Sequence, residues 1–241
     1  MKSLTNYSIA IALILFSFTI GNAQNKKVKG NGNVTTKTHT TENYDQVSLV
    51  GFMDVYLEAG TEGTITVTTD SNIQEYVIVE VKKGVLTLKI ENGISINTKK
   101  GVHITVPFSD LNNVSLTGSG DIITKSSINS TNFETEVTGS GDLVLEVNAT
   151  TIDAKVTGSG DIKLTGKTTD LEIKVTGSGD FSGEDLTAQK VEAYVSGSGD
   201  IIVMAVKSIK ARVHGSGDIV YYGNPTNTDT KVMGSGEISS H

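Results

Sequence analysis

Seven short motifs each place one carboxylate at a nearly constant spacing in the second half of this 241-residue chain. Six read Gly-Ser-Gly-Asp, and the seventh has Glu in the acidic position. The acidic residues are Asp121, Asp142, Asp161, Asp180, Asp200, Asp218 and Glu237. Carboxylates stacked in one column repel each other, and calcium, which binds oxygen ligands, would relieve that repulsion. One hypothesis is therefore a periplasmic ion-binding or small-ligand-binding protein with calcium on the six aspartates.

The glycines of the same motifs favour a structural role. Consecutive motifs begin 18 to 21 residues apart, a period typical of stacked supersecondary units. Their first residues are Gly118, Gly139, Gly158, Gly177, Gly197, Gly215 and Gly234. Glycine tolerates the positive φ of a sharp corner, and aspartate can accept hydrogen bonds from the backbone of its own turn. The motifs are thus predicted to be the corners of a repeating chain path.

Apolar and polar residues alternate on both sides of each motif, as in half-buried strands. In one copy Leu171, Ile173 and Val175 precede the motif, and Glu172 and Lys174 lie between them. Stacking equivalent residues predicts an all-β fold, a right-handed single-stranded parallel β-helix with about seven coils. A meander of antiparallel hairpins is the alternative.

Four regions are predicted along the chain. Residues 1–23 read as a secretory signal peptide, because a short apolar run follows Lys2 and small residues precede Gln24. Residues 24–41 are polar and predicted to be a flexible lead-in. Residues 42–110 are predicted to be a β region that covers one end of the solenoid and contains a hairpin of 76–81 with 85–90. The repeats occupy residues 111–241.

Composition excludes several classes of function. Without the signal peptide the chain has 19 Lys and Arg against 27 Asp and Glu, a net charge of −8, which argues against nucleic acid and against anionic lipid. There is no cysteine for a disulfide or a lipid anchor, and no transmembrane segment is expected after signal cleavage. The single Arg212 and four scattered histidines form no catalytic or metal-ligand pattern, so no enzyme is predicted.

Two outward surfaces are candidate partner sites. Before each corner one column reads Glu134, Asp153, Glu172, Glu192, Lys210, Asp229, and the next reads Glu136, Lys155, Lys174, Tyr194, Arg212, Lys231. These stripes are predicted to form cross-strand ion pairs on a solvated face, with a polar recognition surface as the alternative. After the corner, Ile123, Val144, Ile202 and Val220 are predicted to point outward, as an aliphatic partner patch or under a covering segment.

The chain resembles the family called "putative auto-transporter adhesin, head GIN domain", also known as domain of unknown function 2807, over about residues 42–241. The residues that carry the resemblance are Tyr44–Val47, Gly51–Leu57, Val85–Leu88, Val102–Pro107 and Leu111–Asp121, with Gly51 and Asp54 as a degenerate first corner. The resemblance implies a single-stranded β-helix and transfers no catalytic residues.

Together with the signal peptide, the resemblance implies an exported scaffold, in the periplasm, on the outer-membrane surface or outside the cell. It would be an adhesin or envelope-interaction protein that binds a protein or glycan. Open solenoid ends would also permit dimers.

Overall fold

The computed structural model describes residues 25–241, so the predicted signal peptide at 1–23 lies outside the described residues. Strands make up most of these residues, and the one helical element among them is a short 3₁₀ helix at Gln74–Tyr76. The strands are β1 (Lys26–Lys29), β2 (Val34–Thr40), β3 (Gln46–Gly51), β4 (Asp54–Ala59), β5 (Thr64–Asp70), β6 (Val77–Lys82), β7 (Val85–Ile90), β8 (Ile94–Asn97), β9 (His103–Phe108), β10 (Asn113–Gly118), β11 (Asp121–Thr124), β12 (Ile128–Gly139), β13 (Leu143–Gly158), β14 (Ile162–Gly177), β15 (Phe181–Gly197), β16 (Ile201–Gly215), β17 (Ile219–Tyr222), β18 (Asn227–Gly234) and β19 (Ile238–Ser240).

The repeats form a solenoid of parallel coils, which confirms the predicted β-helix. From β10 to β19 every strand pairs in parallel with its copy one repeat away, and the corner glycines stay in register, for example Gly158 with Gly177. The antiparallel meander is therefore wrong for this half. Each coil has a strand before the corner, the corner, and a strand after it that runs on into the next coil.

The interior consists of apolar columns that run along the solenoid axis. One column, fully or almost fully buried, is Val137, Val156, Val175, Val195 and Val213. Another, after the corner, is Ile122, Leu143, Ile162, Phe181, Ile201 and Ile219. The alternation predicted from sequence therefore describes the core of the repeats, because each inward position lies above its equivalent in the coil below.

In the N-terminal region the coils stack in a different order from the chain. Strands β3 and β4 pair in parallel with β10 and β11 on one side and with β7 and β9 on the other. The coil made by β7 and β9 is therefore at the end of the stack, although it follows β3 and β4 in sequence. The degenerate corner is real in this arrangement, since Gly51 aligns with Gly118 and Asp54 with Asp121.

Antiparallel strands close the N-terminal end. β6 pairs with β7 in the predicted hairpin, through a turn in which Lys83 and Gly84 both have positive φ, as a two-residue hairpin turn requires. β5 pairs with β9, and β2 pairs with β5. This corrects the flexible lead-in predicted for 24–41: polar, threonine-rich β2 forms seven pairs along β5, and β1 pairs in parallel with β8. Threonine has a high β propensity, so an edge strand needs few apolar residues.

No helix in the described residues 25–241 is long and apolar enough to cross a membrane.

Each corner brings backbone against backbone. The first glycine has positive φ, 119° at Gly177 and up to 145° at Gly234. The second glycine lacks this strain but is just as constrained, because a Cβ on Gly179 would lie 2.0 Å from the carbonyl oxygen of Gly160. Both positions therefore exclude side chains, the first through conformation and contact, the second through contact alone.

We expect Gly177→Ala to lower the free energy of unfolding by about 3 kcal/mol or more, because positive-φ strain and overpacking each cost about 1–3 kcal/mol. The added Cβ would lie 2.3 Å from the Gly158 carbonyl oxygen. Gly93→Ala is the matched control, since Gly93 also has positive φ (79°) but no atom within 4 Å of its Cβ position. Urea unfolding measures both, and equal losses would contradict the close-stacking explanation.

Candidate functional site

The corner aspartates form a hydrogen-bonded ladder between coils. The Oδ1 atom of Asp161 accepts a hydrogen bond from the backbone N–H of Asp180 at 2.8 Å, and the Asp161 N–H donates to Asp142 Oδ1 at 3.0 Å. The same bond links every step from Asp121 to Glu237, at 2.7 to 3.2 Å. The expected acceptor role therefore exists, but the donor belongs to the next coil and not to the aspartate's own turn.

This geometry bears on the calcium hypothesis. One oxygen of each aspartate from Asp121 to Asp218 is occupied by the N–H of the next coil. Within residues 25–241 no group of three or more His, Asp or Glu side chains is placed to hold a metal ion. The N–H bond also places a partial positive charge beside each carboxylate, which offsets the repulsion that calcium was invoked to relieve.

The ladder column continues into the N-terminal coils, where its chemistry changes. Asp54 aligns with Asp121 on one side and with His103 on the other. The Asp54 carboxylate lies 3.2 Å from His103 Nδ1, and His103 Nε2 lies 3.0 Å from the Lys100 carbonyl oxygen. Burial raises the pKa of Asp54, and His103 partly opposes that shift. A histidine thus ends the carboxylate column.

A groove runs along the solenoid axis on the charged face before the corners. One wall is the column Thr151, Asp170, Lys190, Ser208 and Asn227, and the other is Asp153, Glu172, Glu192, Lys210 and Asp229. The strand segments between the walls form the floor, and the groove has a volume of about 720 Å³. The second wall was predicted from sequence. Sequence analysis missed the first wall. Each of its residues lies two positions before a residue of the second wall, so the same repeat spacing would have found it.

Ion pairs hold the walls of this groove. Lys190 Nζ lies 3.2 Å from Asp170, and Lys210 Nζ lies 2.9 Å from Glu192, each pair joining neighbouring coils within one column. The predicted cross-strand pair between the stripes occurs at Arg212–Asp229, whereas Lys174 pairs with Glu172 on its own strand. These side chains are largely exposed, so each pair stabilises the fold by less than about 1 kcal/mol. Their main consequence is that the side chains lie in defined positions.

Several groups in the groove have perturbed pKa values. Hydrogen bonds from Tyr194 and Lys210 lower the pKa of Glu192, and the same network raises the pKa of Lys210. Burial raises the pKa of Asp153, and the neighbouring carboxylates of Glu172 and Glu134 add to this shift. The groove therefore offers both hydrogen-bond donors and acceptors, and side chains of both charge signs line it.

The aliphatic patch predicted after the corners is interrupted. Its column reads Ile123, Val144, Lys163, Ser182, Ile202 and Val220. Val144 is exposed, while Ile123, Ile202 and Val220 are half-buried. Because Lys163 and Ser182 separate the two aliphatic pairs, this surface is not one continuous apolar patch.

The described residues offer little that could perform covalent chemistry. Within 25–241 no hydrogen bond joins a histidine to a serine or threonine hydroxyl. The polar contacts of the His103 ring are with Asp54 and the Lys100 carbonyl, and the ring stacks with that of Tyr56. His39 is half-buried on β2, and burial lowers its pKa. The repeated face instead presents ion-paired side chains of both charge signs in regular columns.

Comparison with known proteins identifies the family of this chain and confirms its fold. The family model described as "Putative auto-transporter adhesin, head GIN domain" matches residues 43–225, and the chain belongs to this family. No functionally curated protein matches the sequence.

Solved structures share the fold along nearly the whole chain. A "putative adhesin" from Bacteroides fragilis is 25% identical, with a TM-score of 0.83, and the match covers 89% of this chain and 100% of that one. A "putative lipid binding protein" from Parabacteroides distasonis is 27% identical, with a TM-score of 0.74 and coverage of 90% and 100%. A "putative adhesin" from the same species, at 23% identity and a TM-score of 0.73, covers 90% and 100% and shows the fold alone.

We expect Asp161→Ala to lower the free energy of unfolding by about 1 kcal/mol, because it removes the acceptor for the Asp180 N–H. Asp161→Asn keeps an oxygen at Oδ1 and should stay within about 0.5 kcal/mol of the wild type. Asp185→Ala is the control: Asp185 is exposed and makes no hydrogen bond or ion pair among residues 25–241, so its loss should have no measurable effect. Equal destabilisation by Asp161→Ala and Asp161→Asn would contradict the ladder.

Thermal melting in EDTA and in millimolar calcium tests the metal hypothesis directly. Because the ladder oxygens are already hydrogen-bonded, we expect the same melting temperature in both. A site filled a hundredfold above its Kd would stabilise the fold by about 2.7 kcal/mol and raise the melting temperature by roughly 5–10 °C. A rise of that size with calcium, and none with magnesium at equal ionic strength, would restore calcium as a ligand of the aspartate column.

Proposed function

We propose that this chain is an exported, non-catalytic adhesin, a scaffold whose charged face binds a partner protein or glycan at the cell envelope. The axial groove carries the proposal. It spans five coils, and its walls are side chains in fixed register that include ion pairs between neighbouring coils. It combines hydrogen-bond donors and acceptors over a length that suits an extended partner. Membership of an adhesin-named family and the adhesin-named structural relative from Bacteroides fragilis support the same class.

The non-catalytic part of the proposal rests on the uniformity of the repeats. Catalysis needs groups with distinct environments and roles, and here the corner carboxylates recur in the same motif and the same hydrogen bond from coil to coil. Export rests on the signal-like sequence at 1–23 and on the family. A scaffold of stacked coils is suited to binding along a regular surface without a conformational change.

A matched pair of variants tests the groove as the binding site. Thr151→Arg with Ser208→Arg fills the groove, while Thr165→Arg with Ser182→Arg adds the same charge and bulk to the strands after the corner; all four residues are half-buried. Beads coated with the mature protein are tested for retention on immobilised mucin, matrix proteins and bacterial envelopes. We expect the wild-type protein to be retained on at least one of these surfaces. Retention should fall about tenfold or more only in the groove variant, because blocking the contact surface lowers the binding free energy by at least about 1.4 kcal/mol.

Two outcomes would overturn this function. The first is no retention of the wild-type protein on any surface, or the same loss in both variants. The second is release of soluble fragments from the mucin or envelope surface during incubation, which would indicate an enzyme.

A further inference from the structure

The corner of the terminal coil is enlarged into a separate structure. Between β7 and β9, residues 91–102 replace the four-residue corner of the other coils, and they contain β8. β8 pairs in parallel with β1, which forms a two-stranded ribbon outside the main sheet. The stacked corners form a ridge along the solenoid, here called the corner ridge, and the ribbon lies at its N-terminal end. It is next to the Gly51–Asp54 corner, because the Asp54 N–H donates to the Val102 carbonyl at 3.0 Å.

This end of the molecule is basic and carries an exposed aromatic ring. Lys27, Lys29 and Phe52 line a groove of about 540 Å³ together with β8 and Thr98. Lys99 and Lys100 follow Thr98 directly, and all four lysines are exposed. Phe52 is 38% exposed at the corner position that is serine in all seven motifs. We call Lys27, Lys29, Phe52, Lys99 and Lys100 the basic pole.

Charge is segregated between the pole and the repeats. Residues 25–108 contain 9 lysines and 9 acidic residues, whereas residues 109–241 contain 10 basic and 18 acidic residues. The whole negative surplus therefore lies in the repeats. Residues 25–41 and 92–109 contain lysines but no Asp or Glu. The overall charge of −8, which argued against an anionic partner, conceals a cationic end.

A buried carboxylate organises the pole. Asp70, which is 1% exposed, accepts hydrogen bonds from the Gly32 N–H at 2.5 Å and from the Thr98 hydroxyl at 2.5 Å. Thr98 Oγ1 in turn accepts the Lys100 N–H at 2.9 Å. These bonds join the bend after β1 to the turn that carries Lys99 and Lys100. The lysines are thus presented from a rigid base, which reduces the entropy lost on binding.

We propose that the basic pole docks onto a phospholipid bilayer that contains anionic headgroups. Lysines near such a surface are attracted by its negative potential, and an aromatic side chain can enter the headgroup region. A free phosphate ion would use the lysines but gain nothing from exposed Phe52, so a bilayer accounts for both features. Docking through this end would leave the corner ridge and the charged groove of the repeats free in solution. The proposal is independent of the adhesin function.

Vesicle sedimentation of the mature protein tests this docking. Vesicles of phosphatidylcholine mixed with phosphatidylglycerol should bind it, and phosphatidylcholine alone should not. Each neutralised lysine is expected to weaken binding about fivefold, so Lys27→Gln with Lys29→Gln should weaken it about 25-fold. Phe52→Ser restores the residue of the other corners, so it should fold normally and weaken binding roughly fivefold. Melting temperatures verify that both variants are folded.

The control variant is Lys163→Gln with Lys207→Gln, which removes the same charge from exposed positions in the repeats and should bind like the wild type. Four results would overturn the proposal: equal weakening in the control, equal binding to phosphatidylcholine alone, no vesicle binding at all, and displacement by inorganic phosphate at constant ionic strength. The last result would indicate an anion pocket. Bead retention of the pole variants should be unchanged, which separates failure here from failure of the adhesin function.

Discussion

The stacking of glycine on glycine at the corners is the contact on which the solenoid depends. The carbonyl of Gly118 accepts two hydrogen bonds from the next coil, from the N–H of Ser140 at 2.8 Å and of Gly141 at 3.1 Å. This arrangement is possible only because neither corner glycine carries a Cβ, which would lie within about 2.3 Å of the carbonyl beneath it. Successive corners therefore align without slippage, and the register of every other column follows from that alignment.

Register then determines both the core and the surface. Inward positions stack into columns such as Val156 on Val137, which supply the apolar burial that a chain without disulfides needs. Outward positions stack in the same way, so side chains of neighbouring coils lie one strand spacing apart, about 4.8 Å. The aspartate ladder and the ion-paired walls of the groove are both consequences of this spacing. A surface of this kind is repetitive and rigid, which suits recognition of an extended partner more than catalysis.

The N-terminal region differs because it must end the stack. A parallel coil presents unpaired backbone groups on its outer side, and such an edge invites association with another chain. Here β5 and β6 cover the last coil by antiparallel pairing, and polar β2 follows β5. The enlarged corner at 91–102 and the exposed Phe52 belong to this end. The molecule thus has a lysine-bearing end and an acidic, repetitive body, with different partners proposed for each.

The sequence alone determined the parts of this protein that are local and periodic. Alternating residues such as Leu171, Ile173 and Val175 define strands and core, and the glycine spacing defines coils, because both patterns repeat with the geometry they produce. Only the tertiary structure decided that the coil of β7 and β9 stacks below β3 and β4, that each aspartate serves the next coil, and that distant segments form the groove and the basic pole. These features depend on pairings between residues far apart in the chain. A segment that does not repeat has no sequence periodicity from which its pairing partner can be predicted.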